Sequence, residues 1–463
     1  MNIQPLQEIA LDAKSRGWQL LIVGGFVRDQ ILGIESKDID CEVYGVPDVD
    51  TLIEWLSLYG DVNAVGASFG VLKLTIDDVD FDISLPRREN KQGQGHKGFI
   101  VEPDPTMTPR EAAQRRDFTM NAMALDPVSG ELFDFFGGRQ DLEHGILRHT
   151  SEAFSEDPLR VLRGFQFCGR FSMTATDETL DLCFDLVDEV DFLALERVWT
   201  EWEKWAIKSE RPFHGLRFLR MSDWLGLYPE LFNLQGVEQC PDHHPEGNAW
   251  VHTLCVVEAM HLLCERERIT DEDRVVLMFA ALLHDVGKVG TTEFNEGKGH
   301  ITSYGHDQAG GPLAASFLGS IGAPKAIIER VVPLVMNHMR HINYHTGGKP
   351  CAKHARRLAR DLHPATVQEW AFLVEADHSG RPPLPGGLPD AAAELLRIAD
   401  EVAVRDAAPK SPLMGRHLIE MRMTPGVEFG VILKAADEAF VEGEFQTVDE
   451  GKAWVTQRKS SSS

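Results

Sequence analysis

Strand and helix signals are separated along this chain, and that separation is the feature that most restricts its fold. Apolar runs of strand length, either continuous or alternating, lie in the first 150 residues, at 20–23, 38–44, 71–76 and 79–85. Beyond them apolar residues recur at helical spacing, at 155–171, 179–207, 252–265, 271–284, 312–318, 326–338 and 364–376. We therefore expect a multidomain α+β protein, with one small sheet near its N-terminal end and all-α domains after it.

Shifts in composition predict where these domains meet. The chain of 463 residues is long enough for about three domains. Stretches rich in proline and glycine at 240–247 and 379–389 are typical of linkers or turns. We expect four segments: an α/β head over 1–150, a helical neck and body over 151–240, a helical domain over 241–400, and a C-terminal helical segment with a disordered tail over 401–463.

The overall charge excludes one class of function. Lysine and arginine number 46 against 72 aspartate and glutamate residues, which gives a formal net charge of −26. A chain this acidic is unsuited to coating nucleic acid without specificity, but a local basic face remains compatible with a specific nucleic-acid partner. Residues 325–360 are the candidate, because eight basic side chains there accompany a single acid, Glu329. The alternative is an ordinary solvated helix face.

Cysteine usage and hydropathy favour a cytoplasmic protein without a membrane partner. The seven cysteines are scattered, with no CxxC pair, as is typical of reduced thiols. The first twenty residues lack a basic segment followed by an apolar one, so no secretory signal is expected. The longest apolar runs, such as 275–283, are far shorter than a membrane span of about 20 residues.

Two glycines mark the first candidate site. Gly24 and Gly25 separate an apolar strand from a predicted helix that ends at Gly33. Backbone N–H groups at such a turn can approach a phosphate closely, although a glycine turn without a ligand is the simpler alternative. The polar, glycine-rich residues 86–109 predict a long loop in the same part of the chain.

Paired carboxylates strengthen the case for a phosphate site. Asp38 and Asp40 lie two apart on a predicted strand, which would place both on one face. Two carboxylates at that spacing repel each other unless a cation lies between them, and hard oxygen ligands suit Mg²⁺ carrying a triphosphate. The alternative is a solvated strand edge. Asp80 and Asp82 repeat the spacing on a later strand, and Asp82 is a candidate third carboxylate.

Arginine and acid pairs form the next set of candidates. Adjacent Arg115 and Arg116 can clamp phosphate or ribose oxygens, or simply form an ion pair with Asp117. Asp157 and Arg160 lie three apart, on one helix face if the segment is helical, and together offer acceptors and a guanidinium to the edge of a base. Their alternative is a helix start in which acids suit the dipole. A second acid and base set follows later in the chain, at Glu196, Arg197 and Glu201. The alternative interpretation of this set is an exposed helical ion pair.

Histidines and aspartates in the second half suggest a metal centre. The adjacent pair His284 and Asp285 follows a long apolar run, and buried charge is costly unless it is paired or binds a metal. Imidazole with carboxylate suits Mn²⁺, Ni²⁺, Co²⁺ or Zn²⁺ more than Mg²⁺. The alternative for any single histidine here is a core residue whose ring nitrogens are hydrogen-bonded within the protein. The further candidates are His252, His306, His338 and Asp377.

Taken in order, the head motifs resemble those of class II tRNA nucleotidyltransferases, the CCA-adding enzymes, whose head is shared by bacterial poly(A) polymerases. The segments that carry the resemblance are LIVGGFVRDQILG, KDIDCEVYG, RRDFTMNAMALD, FDFFGGRQDLEHGILRH and EDPLRVLRGFQF. It covers about residues 18–230, half of the chain. The full length of 86–109, which matches the family's flexible loop, favours addition of A as well as C.

This resemblance implies a role for each matching residue. Gly24, Gly25 and Arg28 would hold the triphosphate. Asp38 and Asp40 would bind two Mg²⁺ ions and activate the RNA 3′ hydroxyl for attack on the α-phosphate.

The remaining head motifs would contact the nucleotide itself. Arg115 and Arg116 would contact ribose and phosphates, with Asp117 holding them. The family's EDxxR motif, which reads the base, is matched by Glu156, Asp157 and Arg160, and Arg163 on the same helix joins the nucleotide-binding set. An Asp that accepts from an exocyclic amine and an Arg that donates to ring acceptors can distinguish C and A from U and G.

The order of histidines and aspartates resembles the HD phosphohydrolase superfamily. His252, His284, Asp285 and Asp377 match its four metal-ligand positions, with His306 and His338 as further candidates, and Lys288 would lie near a phosphate. The metal would be Ni²⁺, Mn²⁺, Co²⁺, Zn²⁺ or Mg²⁺. A head of this kind fused to an HD domain resembles the bifunctional bacterial tRNA nucleotidyltransferases, whose HD part has 2′,3′-cyclic phosphodiesterase, 2′-nucleotidase and phosphatase activities.

The resulting expectation is an enzyme that adds CCA to tRNA 3′ ends from CTP and ATP, as a monomer or homodimer, with a metal-dependent hydrolase domain. The alternatives are an enzyme that adds only A or only CC, and a poly(A) polymerase. From another class, the alternative is an HD phosphohydrolase whose head merely binds RNA.

Overall fold

The computed structural model describes residues 3–36, 38–63, 71–77, 79–91, 99–344 and 349–461. They divide into two compact units, Met1–Leu227 and Tyr228–Ser463. The tip of the predicted loop, 92–98, and the last two residues of the predicted tail, 462–463, lie outside the described residues. Among the helices described, none is long and apolar enough to cross a bilayer.

The first unit is built on a mixed sheet whose strand order, for the residues described, is β3-β4-β5-β2-β1-β8-β9. Neighbouring strands are antiparallel except for the parallel pair β2 and β5. The core strand QLLIV is buried from its second residue to its last, as expected of an apolar run covered on both faces. The strands are β1 Gln19–Val23, β2 Asp40–Tyr44, β3 Asp61–Asn63, β4 Val71–Ile76, β5 Val79–Ser84, β8 Ala124–Leu125 and β9 Leu132–Phe133.

Helices cover this sheet and continue into the rest of the unit. The aromatic side chains of Phe165, Trp202 and Trp205 pack together, with ring centroids 4.5–5.6 Å apart, and join two of these helices. The helices are α1 Gln4–Ser15, α2 Gly25–Leu32, α3 Val49–Leu56, α4 Pro109–Gln114, α5 Gly138–Glu143, α6 Leu159–Phe171, α7 Asp177–Asp185, α8 Leu195–Lys208 and α9 Pro212–Met221. A short parallel pair, β10 Ile146–Leu147 and β11 Thr174–Ala175, lies beside them.

The structure corrects four sequence predictions in this unit. Residues 86–109 are not a plain loop, because β6 Arg87–Lys91 and β7 Phe99–Pro103 form an antiparallel ribbon. The helix predicted over 155–171 begins only at Leu159, because Asp157, which precedes Pro158, is extended. The helix predicted over 179–207 is interrupted between α7 and α8 by a 3₁₀ segment. Asp38 precedes strand β2 instead of lying on it.

The second unit is helical around one buried helix. Every residue of α12 from Arg274 to Leu283 is buried, which explains the continuous apolar run in its sequence. Helices α11, α15 and α17 pack against it. The helices of this unit are α10 Pro229–Phe232, α11 Ala249–Glu267, α12 Asp271–Leu283, α13 Lys288–Thr291, α14 His306–Ser320, α15 Lys325–Asn337, α16 Ala352–Leu362, α17 Val367–Ser379 and α18 Asp390–Glu401. A hairpin joins β12 Glu293–Asn295 to β13 His300–Thr302.

The C-terminal residues of this unit have a small core of their own. Leu418, Ala436, Phe445 and Val455 lie in one buried cluster. Three helices carry these side chains: α19 Gly415–Glu420, α20 Val427–Glu442 and α21 Val448–Ser461. The helical character predicted for 401–463 is confirmed, and helix α21 extends into the serine tail as far as Ser461.

Candidate active sites

Sheet register brings the head carboxylates together. Strand β1 pairs Val23 with Asp40, and strand β2 pairs Asp40 with Asp82. Because directly paired residues on neighbouring strands point to the same face, Asp40 and Asp82 lie side by side at the edge where β1 turns into α2. Asp80, by contrast, contacts Lys73 and Thr75 and takes no part in this group.

Gly24 occupies the turn beside these carboxylates, and only glycine fits there. Its φ of +73° lies in the left-handed region, and a Cβ would stand 2.8 Å from Nη1 of Arg116 and 3.8 Å from Oδ2 of Asp40. The turn therefore places the start of helix α2, whose first residue is Gly25, against an arginine and a carboxylate.

The head carboxylates repel one another in the absence of a cation. Desolvation raises the pKa of Asp40, and the negative charges of Asp82, Asp38 and Glu42 raise it further, against the lowering effect of Arg116. An all-oxygen group of this kind fits Mg²⁺, which prefers carboxylate ligands and bound phosphates.

Arg116 is held at the site by a residue that the sequence analysis did not select. Its Nη2 donates to Oε1 of Glu42 at 2.7 Å, and its Nη1 donates to the carbonyl of Asn121 at 3.4 Å. Glu42 also accepts from the Tyr44 hydroxyl at 2.5 Å. The signal for Glu42 was present, because it stands two residues after Asp40 on the same strand.

Arg28, for which the resemblance implies a triphosphate contact, lies in a buried network. It is 4% exposed, with Nε and Nη2 donating to Asp29 and Nη1 donating to Asn121 at 2.7 Å. Its guanidinium also lies over the rings of Phe167 and Phe171, at 5.4 and 4.7 Å from their centroids. This geometry favours a positioning role, in which Arg28 fixes helix α2 against helix α6.

Asp117 and Arg163 form a second buried junction in the head. Arg163 Nε donates to Asp117 Oδ2 at 2.7 Å, while Asp117 Oδ1 accepts from Asn121 and from the N–H of Phe118. Burial alone would raise the pKa of Asp117, but Arg163 and these hydrogen bonds hold it below its usual value. Asp117 therefore stays ionised and anchors the segment that carries Arg115 and Arg116.

The residues predicted to read a base lie beside that segment. Arg160 donates to the carbonyls of Ala153 and Arg115, at 2.5 and 2.9 Å. Asp157 accepts from Arg197 at 2.9 Å. Arg115 also pairs with Glu156 at 3.1 Å.

The three residues of the predicted acid and base set on helix α8 have different surroundings. Arg197 joins the base-reading group through Asp157, and its Nη1 is buried without a hydrogen-bond acceptor. Glu196 is exposed in the first turn of the helix, and Glu201 is buried and pairs with Lys204 at 2.8 Å.

In the second unit, four predicted ligands converge. His252 lies on α11, Asp377 on α17, and His284 with Asp285 directly follows α12. His252 Nε2 is 3.1 Å from Asp377 Oδ1, 3.3 Å from His284 Nε2 and 3.5 Å from Asp285 Oδ2. Both histidines and Asp285 are buried, so this polar group lies inside the helical core.

His306 and His338 complete a second group on the other side of Asp285. His306 Nε2 is 3.2 Å from Asp285 Oδ1 and 3.1 Å from His338 Nε2. Asp285 thus presents one carboxylate oxygen to each pair of histidines. The arrangement has the donors and spacing for two metal ions bridged by one aspartate, with imidazole and carboxylate as ligands.

The backbone fixes which imidazole nitrogen faces the centre. Nδ1 of His284 lies 2.8 Å from the carbonyl of Ala281, and Nδ1 of His338 lies 2.7 Å from that of Val335. His306 repeats the contact with Ser303 at 2.6 Å. An Nδ1–H that donates to a carbonyl leaves the Nε2 lone pair free to bind a metal.

Charges within this cluster compensate one another. Burial alone would raise the pKa of Asp285, but His284 and Lys288 hold it well below its usual range. Burial would lower the pKa of His252, yet hydrogen bonds to Asp377 and Glu246 raise it to about 9. The pKa of His338 falls to about 3, because burial and the neighbouring histidines disfavour a further positive charge.

The comparisons with known proteins agree with both clusters. Residues 20–148 match the poly A polymerase head domain, and residues 250–404 match the HD domain. A multifunctional CCA protein of Nitrosococcus oceani is 35% identical over 390 residues, which are 83% of this chain and 90% of that protein. Another, of Hahella chejuensis, is 37% identical over 370 residues, 78% of this chain and 82% of that one. The chain belongs to the multifunctional CCA protein family.

Solved structures share the fold of this family member. The Bacillus stearothermophilus CCA-adding enzyme in complex with CTP aligns with a TM-score of 0.65 and 18% identity, covering 100% of this chain and 99% of that one. The Thermotoga maritima CCA-adding enzyme complexed with tRNA aligns with a TM-score of 0.57 and 18% identity, covering 97% and 94%. The expected fold class, an α/β nucleotidyltransferase head followed by helical segments and an HD domain, is confirmed.

The HD cluster of this family member includes Glu246, from the stretch 240–247 that was predicted to be a linker or turn, and Gln239, which directly precedes that stretch. Glu246 Oε1 lies 2.8 Å from His252 Nδ1, and Gln239 Oε1 accepts from Lys288 at 2.7 Å. Lys288 Nζ also lies 2.6 Å from Asp285 Oδ2, which places a cation in the cluster beside the bridging carboxylate. A signal existed for Glu246, because it stands six residues before His252, among histidines.

The basic segment 325–360 proves to be mostly paired. Arg330 contacts Asp273 and Glu369, and Lys353 and Arg357 both contact Glu442. Arg340 and Arg360 share Asp361, one residue beyond the counted segment. Much of the charge of this segment is therefore offset by acids from other elements and by Asp361 on helix α16 itself, so it is not the continuous basic face that its sequence suggests.

Proposed function

We propose that the head adds the CCA sequence to tRNA 3′ ends from CTP and ATP. The observation that carries the proposal is the side-by-side placement of Asp40 and Asp82, next to Gly24 and Arg116, in a chain of the multifunctional CCA protein family. An anionic group beside a helix start and an arginine suits a triphosphate that arrives with its cation. The solved CCA-adding enzymes with CTP and with tRNA support the same substrates.

In the proposed reaction the RNA 3′ oxygen forms a bond to the α-phosphorus, and the bond from that phosphorus to the bridging oxygen breaks, releasing pyrophosphate. Asp38 and Asp40 would hold Mg²⁺, and the bound ion would neutralise the phosphates and ease loss of the 3′ hydroxyl proton to water. Asp82 is paired with Asp40 on the neighbouring strand and offers a further carboxylate beside it. Arg116, fixed by Glu42, contacts the phosphates or ribose.

Base selection is assigned to Asp157 and Arg160. Arg160 is oriented by backbone carbonyls, and Asp157 is oriented by Arg197. A carboxylate and a guanidinium presented together match the donor and acceptor edges of cytosine and adenine. Arg115 and Glu156 form the neighbouring wall, and Asp117 with Arg163 keeps the segment in place.

The second proposed activity is hydrolysis of phosphate esters at RNA ends by the HD cluster. His252, His284, Asp285 and Asp377 would hold a transition metal, and His306 and His338, which also face Asp285, are further candidate ligands. A bound metal would polarise the phosphate and lower the pKa of water. Lys288, which lies 2.6 Å from Asp285, would contribute positive charge near the phosphate, and the products of hydrolysis are an alcohol and a phosphate.

Three tRNA transcripts test the head proposal: one ending at the discriminator base, one at C and one at CC. With CTP and ATP supplied singly and together, all three should be extended to CCA and stop there. Extension of only the CC transcript would contradict full CCA addition, as would a stop at CC or a long A tail. In the variant Asp40→Ala incorporation should be lost, while the control Asp80→Ala, on the same sheet but paired with Lys73, should keep it.

A further inference from the structure

Basic side chains converge in the first unit, at the place where helices α6 and α8 both end. Arg170 lies in the last turn of α6, and Lys208 is the last residue of α8. The N–H groups of Glu210 and Arg211 donate to the carbonyl of Gly169, at 3.2 and 3.0 Å. These hydrogen bonds tie the two helix ends together and bring cations from different helices to one place.

A glycine and a helical spacing shape this contact. A Cβ at Gly169 would stand 2.5 Å from Oγ of Ser209, so the residue without a side chain lets the helix ends approach. Lys204 lies four residues before Lys208, so both lysines share one face of α8. We call the group of Arg170, Lys204 and Lys208 the basic junction.

Acids offset only part of the charge of the basic junction. Asp29 lies 3.8 Å from Arg170, but it already accepts two hydrogen bonds from Arg28. Lys204 donates to Glu201 at 2.8 Å. With Arg28 included, four basic side chains meet two acids here, which leaves positive charge available to an anion from outside the protein.

The electrostatic surroundings of Lys208 show the same excess of positive charge. Desolvation lowers the pKa of Lys208, and the charges of Arg170 and Lys204 lower it further. Asp38 and Asp29 act in the opposite direction without offsetting that decrease. Lys208 is exposed and lies within electrostatic range of Asp38, one of the carboxylates assigned to Mg²⁺. A bound anion would stabilise its charge.

Helix dipoles account for only part of this arrangement. A cation in the last turn of a helix is stabilised by the partial negative charge of the carboxyl end. Lys14, in the last turn of α1, is an example in the same unit. This effect needs only one helix, so it does not explain why cations from two helices converge near Asp38.

The position of the basic junction favours an RNA strand over the triphosphate. Arg116 lies against Gly24, where the triphosphate is proposed to bind, and offsets the charge of Asp40. The charge of Asp38, by contrast, reaches Lys208. The RNA 3′ hydroxyl must come to the same pair of carboxylates, and the backbone phosphates of that strand must lead away from them. Lysine contacts such phosphates as a point charge, without reading the base sequence.

We propose that the basic junction binds backbone phosphates near the 3′ end of the acceptor RNA, with Lys208 in direct contact with one of them. The inference rests on the nucleotidyl transfer proposed for the head, and it names a contact that holds the RNA strand beside Asp38 and Asp40. It also gives this acidic chain a local basic face, a role that the mostly paired segment 325–360 does not fill.

Direct binding is the first test, and it needs no catalysis. The full-length protein is mixed in EDTA with a minihelix RNA of the acceptor and T arms that ends in CC, and filter binding is measured over a range of salt concentrations. Lys208→Ala should weaken binding about fivefold at the lowest salt concentration and reduce the slope of log Kd against log salt by roughly 0.7–0.9, the value for one lost phosphate contact. Lys208→Arg should keep both values.

Lys14→Ala is the matched control, because Lys14 is an exposed lysine at the end of another helix of the same unit. It removes the same charge and should change neither the affinity nor the slope. Equal losses in Lys14→Ala and Lys208→Ala would show a general charge effect, and an unchanged affinity in Lys208→Ala would remove the contact. Either result overturns the inference.

Incorporation kinetics distinguish the RNA from the triphosphate. In Lys208→Ala the KM for the minihelix should rise about fivefold, while the KM for ATP and the inhibition constant of pyrophosphate stay unchanged. Higher values for ATP and pyrophosphate, with an unchanged KM for the RNA, would assign the basic junction to the nucleotide and contradict the proposal. If the wild-type chain incorporates no nucleotide, the proposed function of the head fails, and the binding experiment still decides this inference.

Discussion

The two clusters handle phosphate chemistry with opposite physical designs. In the head, Asp38 and Asp40 are exposed at a sheet edge, and their ligand atoms are all oxygens. In the second unit, His252, His284 and Asp285 are buried, and imidazoles outnumber carboxylates. An open edge has room for a large polymer and a nucleotide with its own cation, whereas a buried cluster of imidazoles and carboxylates suits a resident metal.

The two clusters also differ in the direction in which the pKa of their central carboxylate is shifted. Desolvation, together with repulsion from neighbouring carboxylates, raises the pKa of Asp40, so a cation arriving with the substrate would favour its ionised form. Histidines and Lys288 lower the pKa of Asp285, so the HD cluster is compensated before any metal binds. Because the two clusters are compensated differently, we expect removal of a single charge to affect them unequally.

The largest expected effect is at the bridging carboxylate. Asp285→Asn should reduce phosphate-ester hydrolysis by at least about 10³-fold, because a metal contributes several kcal/mol to such a reaction and Asp285 joins both groups of histidines. Nucleotide incorporation into tRNA should be unchanged. The control Glu375→Gln, at a surface pair with Arg266, should affect neither activity. Loss of nucleotide incorporation in Asp285→Asn would contradict the expectation that the two clusters act independently.

The next effect is at the glycine turn of the head. Gly24→Ala should lower incorporation about 10²-fold, because the new Cβ displaces Arg116 from the phosphate site. Gly33→Ala is the matched control, since Gly33 has a similar φ of +70° with nothing within 4 Å of its Cβ. Both variants carry the backbone cost of a positive φ, and that cost is larger at Gly24, whose ψ of −133° lies outside the αL region that Gly33 occupies with a ψ of 20°. Similar activities in single-turnover assays would show that crowding of Arg116 is unimportant.

A smaller effect concerns the stability of the metal-free protein at alkaline pH. The pKa of His252 is raised from 6.5 to about 9, so its contribution is complete below pH 6.5 and is lost as the pH rises through 9. The free energy of unfolding in EDTA should therefore fall by roughly 3 kcal/mol across that window. Urea unfolding at a series of pH values measures this slope, and His252→Gln should flatten it. An unchanged slope in the variant would assign the loss to another group.

The smallest effect is expected at an exposed ion pair. Glu442→Gln releases Lys353 and Arg357, whose charges it offsets on the surface. Exposed pairs contribute little, so tRNA affinity should rise less than fivefold, with a slightly steeper salt dependence. Filter binding at several salt concentrations measures both quantities. A large rise in affinity would restore the basic segment 325–360 as a principal contact surface.

The sequence predicted most of the architecture because its strongest signals are periodic. The core strand 20–23, the helix ending at Gly33 and the buried helix α12 appear where apolar spacing placed them. The ribbon in 86–109 was missed because its polar, glycine-rich sequence has no alternation to reveal a strand. The ribbon is formed by backbone hydrogen bonds between β6 and β7, and such bonds leave no pattern in side-chain polarity.

Within the sites, motif residues were predicted better than their partners. Asp40, Asp285 and Asp377 belong to recognisable spacings, whereas Glu246 and Glu42 depend on how distant elements fold together. The acids that pair with the basic segment 325–360 were missed for the same reason, because Glu442 lies far along the chain. Charge counted along a sequence cannot include acids that only folding brings near.

Two helices end at the HD cluster, and this has a consequence beyond its side chains. Helix α12 ends directly before His284, and helix α15 ends directly before His338. The carboxyl end of a helix carries a partial negative charge of roughly half an electron, from its aligned peptide dipoles. The end of α12 adds about half a negative charge to those of Asp285 and Asp377, whereas at His338 the backbone of α15 continues as a 3₁₀ segment to Tyr344. The macrodipole of α12 thus draws cations towards this centre independently of any residue that mutagenesis can remove.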